Sequence, residues 1–230
     1  MNIIDIIIIL LILFGGVIGF KKGFTRQLVD TVGTIAVIIL SFLLKGYVSV
    51  ILYKFLPFFN FTNKFAGITS MNILLYEVIA FVLVFVVLHS VLTILKKTTT
   101  VFEKLLNATI ILGIPSKILG FFVGLVNNFI FVFIGLYLLN LPVFGLTAIQ
   151  SSSVSNKILN STPLLSNICN DTLEVFNEME VLMEQYQINP NRAELNQKTL
   201  VLLIESNIID KDTANDLIKR GKLTNATIIE

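Results

Sequence analysis

The chain has 230 residues, of which 55% are hydrophobic and only 14% are charged. A soluble chain of this length has too little interior to bury so many apolar side chains, so the composition predicts a surface that faces lipid. The formal net charge of +2 is small for a nucleic-acid-binding protein, and we expect no nucleic-acid partner. The lone cysteine excludes an intrachain disulfide, and one histidine leaves few ligands for a metal.

Four apolar stretches are long enough to cross a bilayer as helices, given a rise of about 1.5 Å per residue. They are predicted at about residues 3–20, 28–44, 73–95 and 118–141. The first stretch has no basic segment before it and no small-residue cleavage site after it, so it is expected to remain as a membrane span. The five prolines all fall outside these boundaries. The sequence therefore predicts an all-α, polytopic membrane protein with four transmembrane helices.

Short helices in the membrane interface are expected between the spans. Residues 48–61 are apolar and aromatic but contain Pro57, which makes them too short to span. Their aromatic side chains, Tyr53 among them, are expected at headgroup depth. Residues 101–114 carry apolar residues on one helical side and polar residues on the other, which predicts a second interfacial helix.

The composition becomes polar after the fourth span. We predict three regions, a four-span membrane domain, a linker and a small helical extramembrane tail, at residues 1–141, 142–165 and 166–230. Residues 192–206 and 213–220 are expected to form a helical hairpin within the tail. Asp210 or Asp212 would cap its second helix, and Gly221 would end it.

Small residues recur at a spacing of four in two of the spans. They are Gly15, Gly19 and Gly23 in the first span and Gly120, Gly124 and Asn128 in the fourth. This spacing places each set on one helix face, where another backbone can approach closely. The general frequency of glycine in transmembrane helices is the alternative explanation. Asn128 is expected to make a hydrogen bond between helices, whereas Ile8 is expected to face lipid.

A short basic hairpin joins the first two spans and contains Lys21, Lys22 and Arg26. Lys22, Arg26 and Asp30 share one helix face, so Arg26 could pair with Asp30 or both could be solvated at the helix end. The side of the membrane that holds this hairpin has seven basic residues and the other side has four. That excess predicts a cytoplasmic hairpin and two extracytoplasmic termini.

Two acids lie within predicted spans and are candidates for a functional role, because charged groups are costly in lipid. Asp5 lies in the first helical turn, where it could reach headgroups or water. Glu77 lies about 6 Å inside the third span, where it would be protonated or paired. His89 is twelve positions after Glu77, a spacing that points the two side chains in different directions and argues against a proton relay.

Sequence motifs for catalysis are absent. The chain has no nucleophile elbow, phosphate-binding loop, zinc-protease helix or paired-cysteine motif. The serines at 151–153 form a polar run far in sequence from His89, so a serine triad is not expected. We therefore expect no catalytic residues, no cofactor and no metal, and a protein that is not an enzyme.

Two N-terminal segments resemble the colicin V production protein family (CvpA-like): Asn2-Ile3-Ile4-Asp5, and Gly19-Phe20-Lys21-Lys22-Gly23-Phe24-Thr25-Arg26. Gly120, Gly124 and the segment from Ser155 to Pro163-Leu164 fit the same pattern, so the resemblance covers about residues 1–165. Residues 214–223 resemble the tail of Gram-positive-type members. The chain differs from the family pattern at Gln27, at Ser116-Lys117 and at Asn128.

The resemblance implies a bacterial cytoplasmic-membrane accessory protein linked to export of a peptide toxin and to a robust cell envelope. We expect a non-enzymatic scaffold whose partners are membrane lipids and unidentified membrane or export proteins. A small transporter or channel component is the alternative. In that case oligomerisation would bring Asp5, Glu77 and Asn128 together along a polar path, and a homo-oligomer would be the working form.

Overall fold

The computed structural model describes residues 2–61, 66–98, 113–141, 149, 151–160, 163–187 and 191–229. All regular secondary structure in these ranges is helical, which confirms the predicted all-α class. We number the helices α1 (Ile3–Lys22), α2 (Phe24–Phe55), α3 (Met71–Thr98), α4 (Ile114–Leu139), α5 (Ser153–Asn160), α6 (Pro163–Gln187), α7 (Arg192–Glu205) and α8 (Lys211–Lys219).

The first four helices are long and apolar enough to cross a membrane, as predicted. Their most apolar windows have mean hydropathies between 2.2 and 2.9. Many large apolar side chains on them are exposed, for example Phe14, Leu43 and Phe122. Such side chains are expected to contact acyl chains, because a bilayer replaces water around these surfaces.

Helix α2 is longer than its predicted span. Its 32 residues extend about 48 Å, well beyond the roughly 30 Å of a hydrocarbon core. Residues 48–55, predicted to lie separately in the interface, instead continue α2, because no proline occurs before Pro57. Tyr53, expected at headgroup depth, is fully buried. The other predicted interfacial helix, at 101–114, lies outside the described residues apart from Gly113 and Ile114.

The chain forms two compact units, each built from two separate segments. The first contains residues 1–41 and 85–166, and its main packing is between α1 and α4. It also contains α5, which lies within the segment 142–165 that was predicted to be a linker. The first unit therefore combines the first and last segments of the membrane region with the short helix α5 that follows them.

The second unit contains residues 42–84 and 167–230. Its fully buried side chains come from the end of α2, the start of α3 and the tail helices α6–α8; they include Tyr53, Met71, Leu74, Phe176, Met179, Leu200, Leu203 and Leu217. The sequence-based division at residue 141 separated the tail from the whole membrane region. The second compact unit instead contains both the tail and residues 42–84, which share one hydrophobic core.

The tail hairpin has its predicted form, with α7 followed by α8. Asp210 is the residue that caps α8, because its Oδ1 accepts a hydrogen bond from the Thr213 backbone N–H at 2.7 Å. This hydrogen bond stabilises the ionised carboxylate and lowers the pKa of Asp210 below its ordinary value. Gly221 follows the helix with φ of 68°, a left-handed conformation that favours glycine.

Candidate functional site

Helices α1 and α4 meet backbone to backbone at their glycines. A Cβ atom built on Gly19 would lie 2.9 Å from the Cα of Gly124, and one built on Gly15 would lie 2.5 Å from the Gly124 carbonyl oxygen. Gly120 and Gly124 are themselves buried. No side chain larger than hydrogen fits at these positions without moving a helix, which is the geometry of small-residue packing in membranes.

Gly23 and Asn128 extend this contact at its two ends. A Cβ on Gly120 would lie 2.8 Å from the carbonyl carbon of Gly23, which also ends α1 with φ of 78°. The Asn128 side-chain amide donates a hydrogen bond to the Leu11 carbonyl oxygen at 2.7 Å. The structure thus brings all six predicted small residues into one helix–helix contact.

Asp5 is buried, with only 1% of its surface exposed. Its position in the first turn suggested that it could reach headgroups or water, but it does not. One carboxylate oxygen accepts from the Ser152 hydroxyl at 2.6 Å and from the Val154 backbone N–H at 3.1 Å. The other accepts from the Asn2 backbone N–H at 2.7 Å. The carboxylate therefore joins the start of α1 to the start of α5, through residues that sequence spacing could not pair.

Asp30 is paired with two lysines rather than with Arg26. Lys22 Nζ lies 2.5 Å from one carboxylate oxygen and Lys96 Nζ lies 2.7 Å from the other. Arg26 is exposed, as is Lys21. Neither alternative for Asp30, a pair with Arg26 or a solvated helix end, is found, because Lys22 and Lys96 both reach the acid. The basic hairpin is therefore tied to α3 as well as to α2.

Glu77 belongs to a buried polar cluster in the second unit. The Lys45 ammonium lies 3.0 Å from its Oε2, and the Tyr53 hydroxyl donates a hydrogen bond to its Oε1. Glu77 is 4% exposed and Tyr53 is fully buried. A buried carboxylate is tolerated when both oxygens are satisfied and a cation is adjacent, and both conditions hold here. The extension of α2 beyond its predicted end is what places both partners opposite α3.

Lys222 closes the end of α2. Its ammonium donates to the backbone carbonyl oxygens of Tyr53, Lys54 and Leu56 at 2.6, 2.8 and 2.9 Å. These carbonyls have no helical partner, and they form the negative end of the helix dipole. Burial lowers the pKa of the Lys222 ammonium. Sequence reasoning did not identify this contact, because a lysine 168 positions after Lys54 carries no local signal.

The tail also binds the turn before α3. The Asn196 side chain accepts from the Thr69 backbone N–H and donates to the Gly67 carbonyl oxygen, each at 3.0 Å. The Thr199 and Ser70 hydroxyls are 2.6 Å apart in a buried hydrogen bond. Arg192 donates to the carbonyl oxygen of Ala66. Helix α7 therefore satisfies backbone groups of this turn, which is a structural role for polar residues of the tail.

The charged and polar side chains in these clusters pair with groups of the same chain. Among the described residues, no group of three or more carboxylate, histidine or cysteine side chains could hold a metal ion. His89 packs between two aromatic rings, Phe85 and Phe131, with ring centroids 5.7 and 5.8 Å away. Each acid in α1–α3 instead contacts a donor or cation from a different part of the chain.

Comparison with known proteins agrees with this architecture. An uncharacterized transmembrane protein of Bacillus subtilis (strain 168), YshB, is 29% identical to the chain, and the match covers 72% of the chain and 94% of the relative. No solved structure gives a significant match. Residues 4–163 match the family described as colicin V production protein, a region that includes the glycine contact and the Asp5, Asp30 and Glu77 clusters. The chain is therefore a multi-pass membrane protein that belongs to the colicin V production protein family.

Proposed function

We propose that the chain is a non-enzymatic accessory protein of the bacterial cytoplasmic membrane that supports peptide or toxin export and envelope homeostasis. It acts as a scaffold, with both termini on the extracytoplasmic side. Its partners are membrane lipids and other membrane or export proteins, and it uses no cofactor. The family description supports the link to toxin production.

One observation carries the scaffold proposal: each acid in the four membrane helices is held by partners from its own chain. The three acids are Asp5, Asp30 and Glu77. Asp5 accepts hydrogen bonds, while Asp30 and Glu77 also form ion pairs with lysines. A transport path needs polar groups that exchange partners with a cargo. Groups held in fixed pairs instead stabilise one arrangement of the helices, which is what a scaffold requires.

A small transporter or channel component is the second candidate, and the Glu77 cluster is the observation that favours it. Lys45, Glu77 and Tyr53 form a connected polar cluster that is buried among membrane helices. In an oligomer, such a cluster could serve a proton- or ion-coupled step. Asn128, which the same hypothesis placed along the path, donates its amide to a backbone carbonyl of α1 and supports it less.

The test replaces Glu77 by glutamine in a strain whose chromosomal copy is deleted. Glutamine keeps the size and most of the hydrogen bonding of glutamate but cannot carry a charge. We expect Glu77→Gln to restore growth under envelope stress and toxin export to the extent that its membrane abundance allows. Loss of both activities at wild-type abundance would contradict the scaffold proposal and favour the transporter.

Glu178→Gln is the matched control, because it makes the same chemical change on an exposed position of α6. It should behave like the wild-type protein in both assays. A deletion strain with normal toxin export and normal envelope resistance would contradict the proposed function itself.

A further inference from the structure

An apolar groove opens between α1 and α4 next to the basic hairpin. Its volume is about 480 Å³, and it is lined by Val17, Phe20, Lys21, Ile118, Phe121 and Phe122. Five of these six side chains are apolar, and the sixth is a lysine at the end of α1. The groove thus combines an apolar wall along the membrane helices with a cation at one end.

The groove lies beside the glycine contact described above, where the two backbones approach closely. The ring of Phe121 lies over Gly16, where an added Cβ would come within 2.8 Å of it. Phe20 and Phe122 remain 42% and 58% exposed. In a bilayer these surfaces contact acyl chains, so a lipid tail is the natural occupant of the groove.

Two lysines stand at the mouth of the groove. Lys117 Nζ is 5.9 Å from the centroid of the Phe20 ring, and Lys21 belongs to the groove wall. Both side chains are exposed. In the part of the chain that the structure describes, neither ammonium forms an ion pair, whereas neighbouring Lys22 is paired with Asp30. Because the two lysines lie at helix ends, their charges are at headgroup depth.

We propose that this groove binds an anionic phospholipid. One acyl chain lies along the apolar wall formed by Val17 and the phenylalanines, and the phosphate lies between Lys21 and Lys117. Basic pockets between transmembrane helices bind anionic headgroups in this way. A zwitterionic lipid can fill the same apolar groove, but its headgroup cation lies near two ammonium groups. The groove therefore selects lipids with net negative charge.

The test measures which lipids stay bound to the purified full-length protein. The protein is equilibrated in detergent with equal amounts of phosphatidylglycerol and phosphatidylethanolamine, and retained lipids are counted by native mass spectrometry. We expect the wild-type protein to retain phosphatidylglycerol preferentially. Removing both charges in Lys21→Gln/Lys117→Gln should lower that preference by about thirty-fold, or about five-fold per lysine. The matched control, Lys157→Gln/Lys219→Gln, removes two exposed lysines elsewhere and should keep the full preference.

Two further measurements distinguish a lipid from a free phosphate ion. Val17→Trp fills the groove without changing any charge, so it should reduce retention of phosphatidylglycerol. Millimolar inorganic phosphate should not displace the lipid, because it gains nothing from the apolar wall. Equal retention of the two lipids by the wild-type protein would overturn the proposal. It would also be overturned by an unchanged preference in the double variant, or by displacement with phosphate together with normal retention by Val17→Trp.

Discussion

Gly19 contacts Gly120 through the backbone, and a Cβ atom on Gly19 would lie 2.9 Å from the carbonyl carbon of Gly120. Leucine at position 19 must therefore push α1 and α4 apart. We expect Gly19→Leu to lower the free energy of unfolding in detergent by about 1–3 kcal/mol and to reduce membrane abundance. Gly135→Leu is the matched control, because a Cβ at that position of α4 would meet no atom of the described residues within 4 Å, apart from the adjacent backbone of its own helix. Equal thermal stability of both variants would show that the glycine contact is not important for stability.

The Lys45–Glu77 ion pair predicts an asymmetric pair of mutations. Lys45→Met removes the cation and leaves a buried carboxylate without its charge partner, a change that commonly costs about 3–5 kcal/mol. Adding Glu77→Gln to the same protein removes the unpaired charge and should recover most of the loss. Thermal unfolding of the single and double variants in detergent measures both effects. A double variant less stable than Lys45→Met would argue against a paired role for these residues.

Lys222 predicts that the tail stabilises the end of α2. Replacing it by methionine leaves three carbonyl oxygens without their common donor, and hydrogen bonds to a charged group contribute about 1.5–3 kcal/mol. We expect Lys222→Met to lower the melting temperature and to increase amide hydrogen exchange in residues 52–56. Lys219→Met, an exposed lysine of α8, is the control and should leave exchange at α2 unchanged. Unchanged exchange in Lys222→Met would exclude the proposed stabilising contact.

Asp210 predicts a pH dependence of the tail. The pKa of Asp210 is lowered from 3.8 mainly by the Thr213 backbone N–H. The ionised carboxylate therefore stabilises the folded tail at pH values above the ordinary pKa of 3.8. This contribution disappears as the pH falls through the lowered pKa of the folded state. At pH 7, Asp210→Ala should cost about 0.5–2 kcal/mol, while Asp210→Asn, which keeps the acceptor, should cost little. The difference between the wild-type and alanine proteins should shrink in acid, because a protonated carboxyl is a weaker acceptor than a carboxylate; a constant difference across the pH range would contradict an ionised cap.

Topology is tested by a reporter that is active only in the cytoplasm, fused after Glu230 through a flexible linker. The excess of basic residues around the hairpin predicts extracytoplasmic termini, so the fusion should be silent. The same reporter inserted between Lys22 and Gly23 serves as the positive control. Strong activity of the C-terminal fusion would reverse the assignment.

The sequence predicts the four membrane helices well, because each is a long apolar run with few charges. The sequence predicts ion-pair and hydrogen-bond partners poorly where they are far apart along the chain. Spacing offered Asp30 either a pair with Arg26 one helical turn earlier or solvation at the helix end, yet its partner Lys96 is 66 positions away. Likewise, Lys45 lies one residue beyond the predicted end of the second span at residue 44, although it is within α2 and pairs with Glu77. Local spacing identifies costly charges in a membrane, but only the packed helices identify which groups compensate them.

The prediction for Ile8 was wrong, although the sequence contained the information to correct it. It was expected to face lipid, but it is 3% exposed. Position 8 is seven residues before Gly15 and thus lies on the same helix face as the glycines, which faces α4.

The core of the tail, in contrast, could not have been predicted from local spacing. Tyr53 and Phe176 are buried in one unit although they are far apart in sequence, and no periodicity within either segment indicates this.

The division of α3 has a consequence for biogenesis. Val84 and Phe85 are consecutive residues of one helix, yet they belong to different compact units. The unit that contains Val84 also needs residues 167–230, which the ribosome makes after α2 and α3. Part of the packing surface of α2 and α3 therefore stays uncovered until residues 167–230 have been synthesised. A nascent chain stopped after residue 163 would keep the region shared with the family but leave that surface open to quality-control proteases.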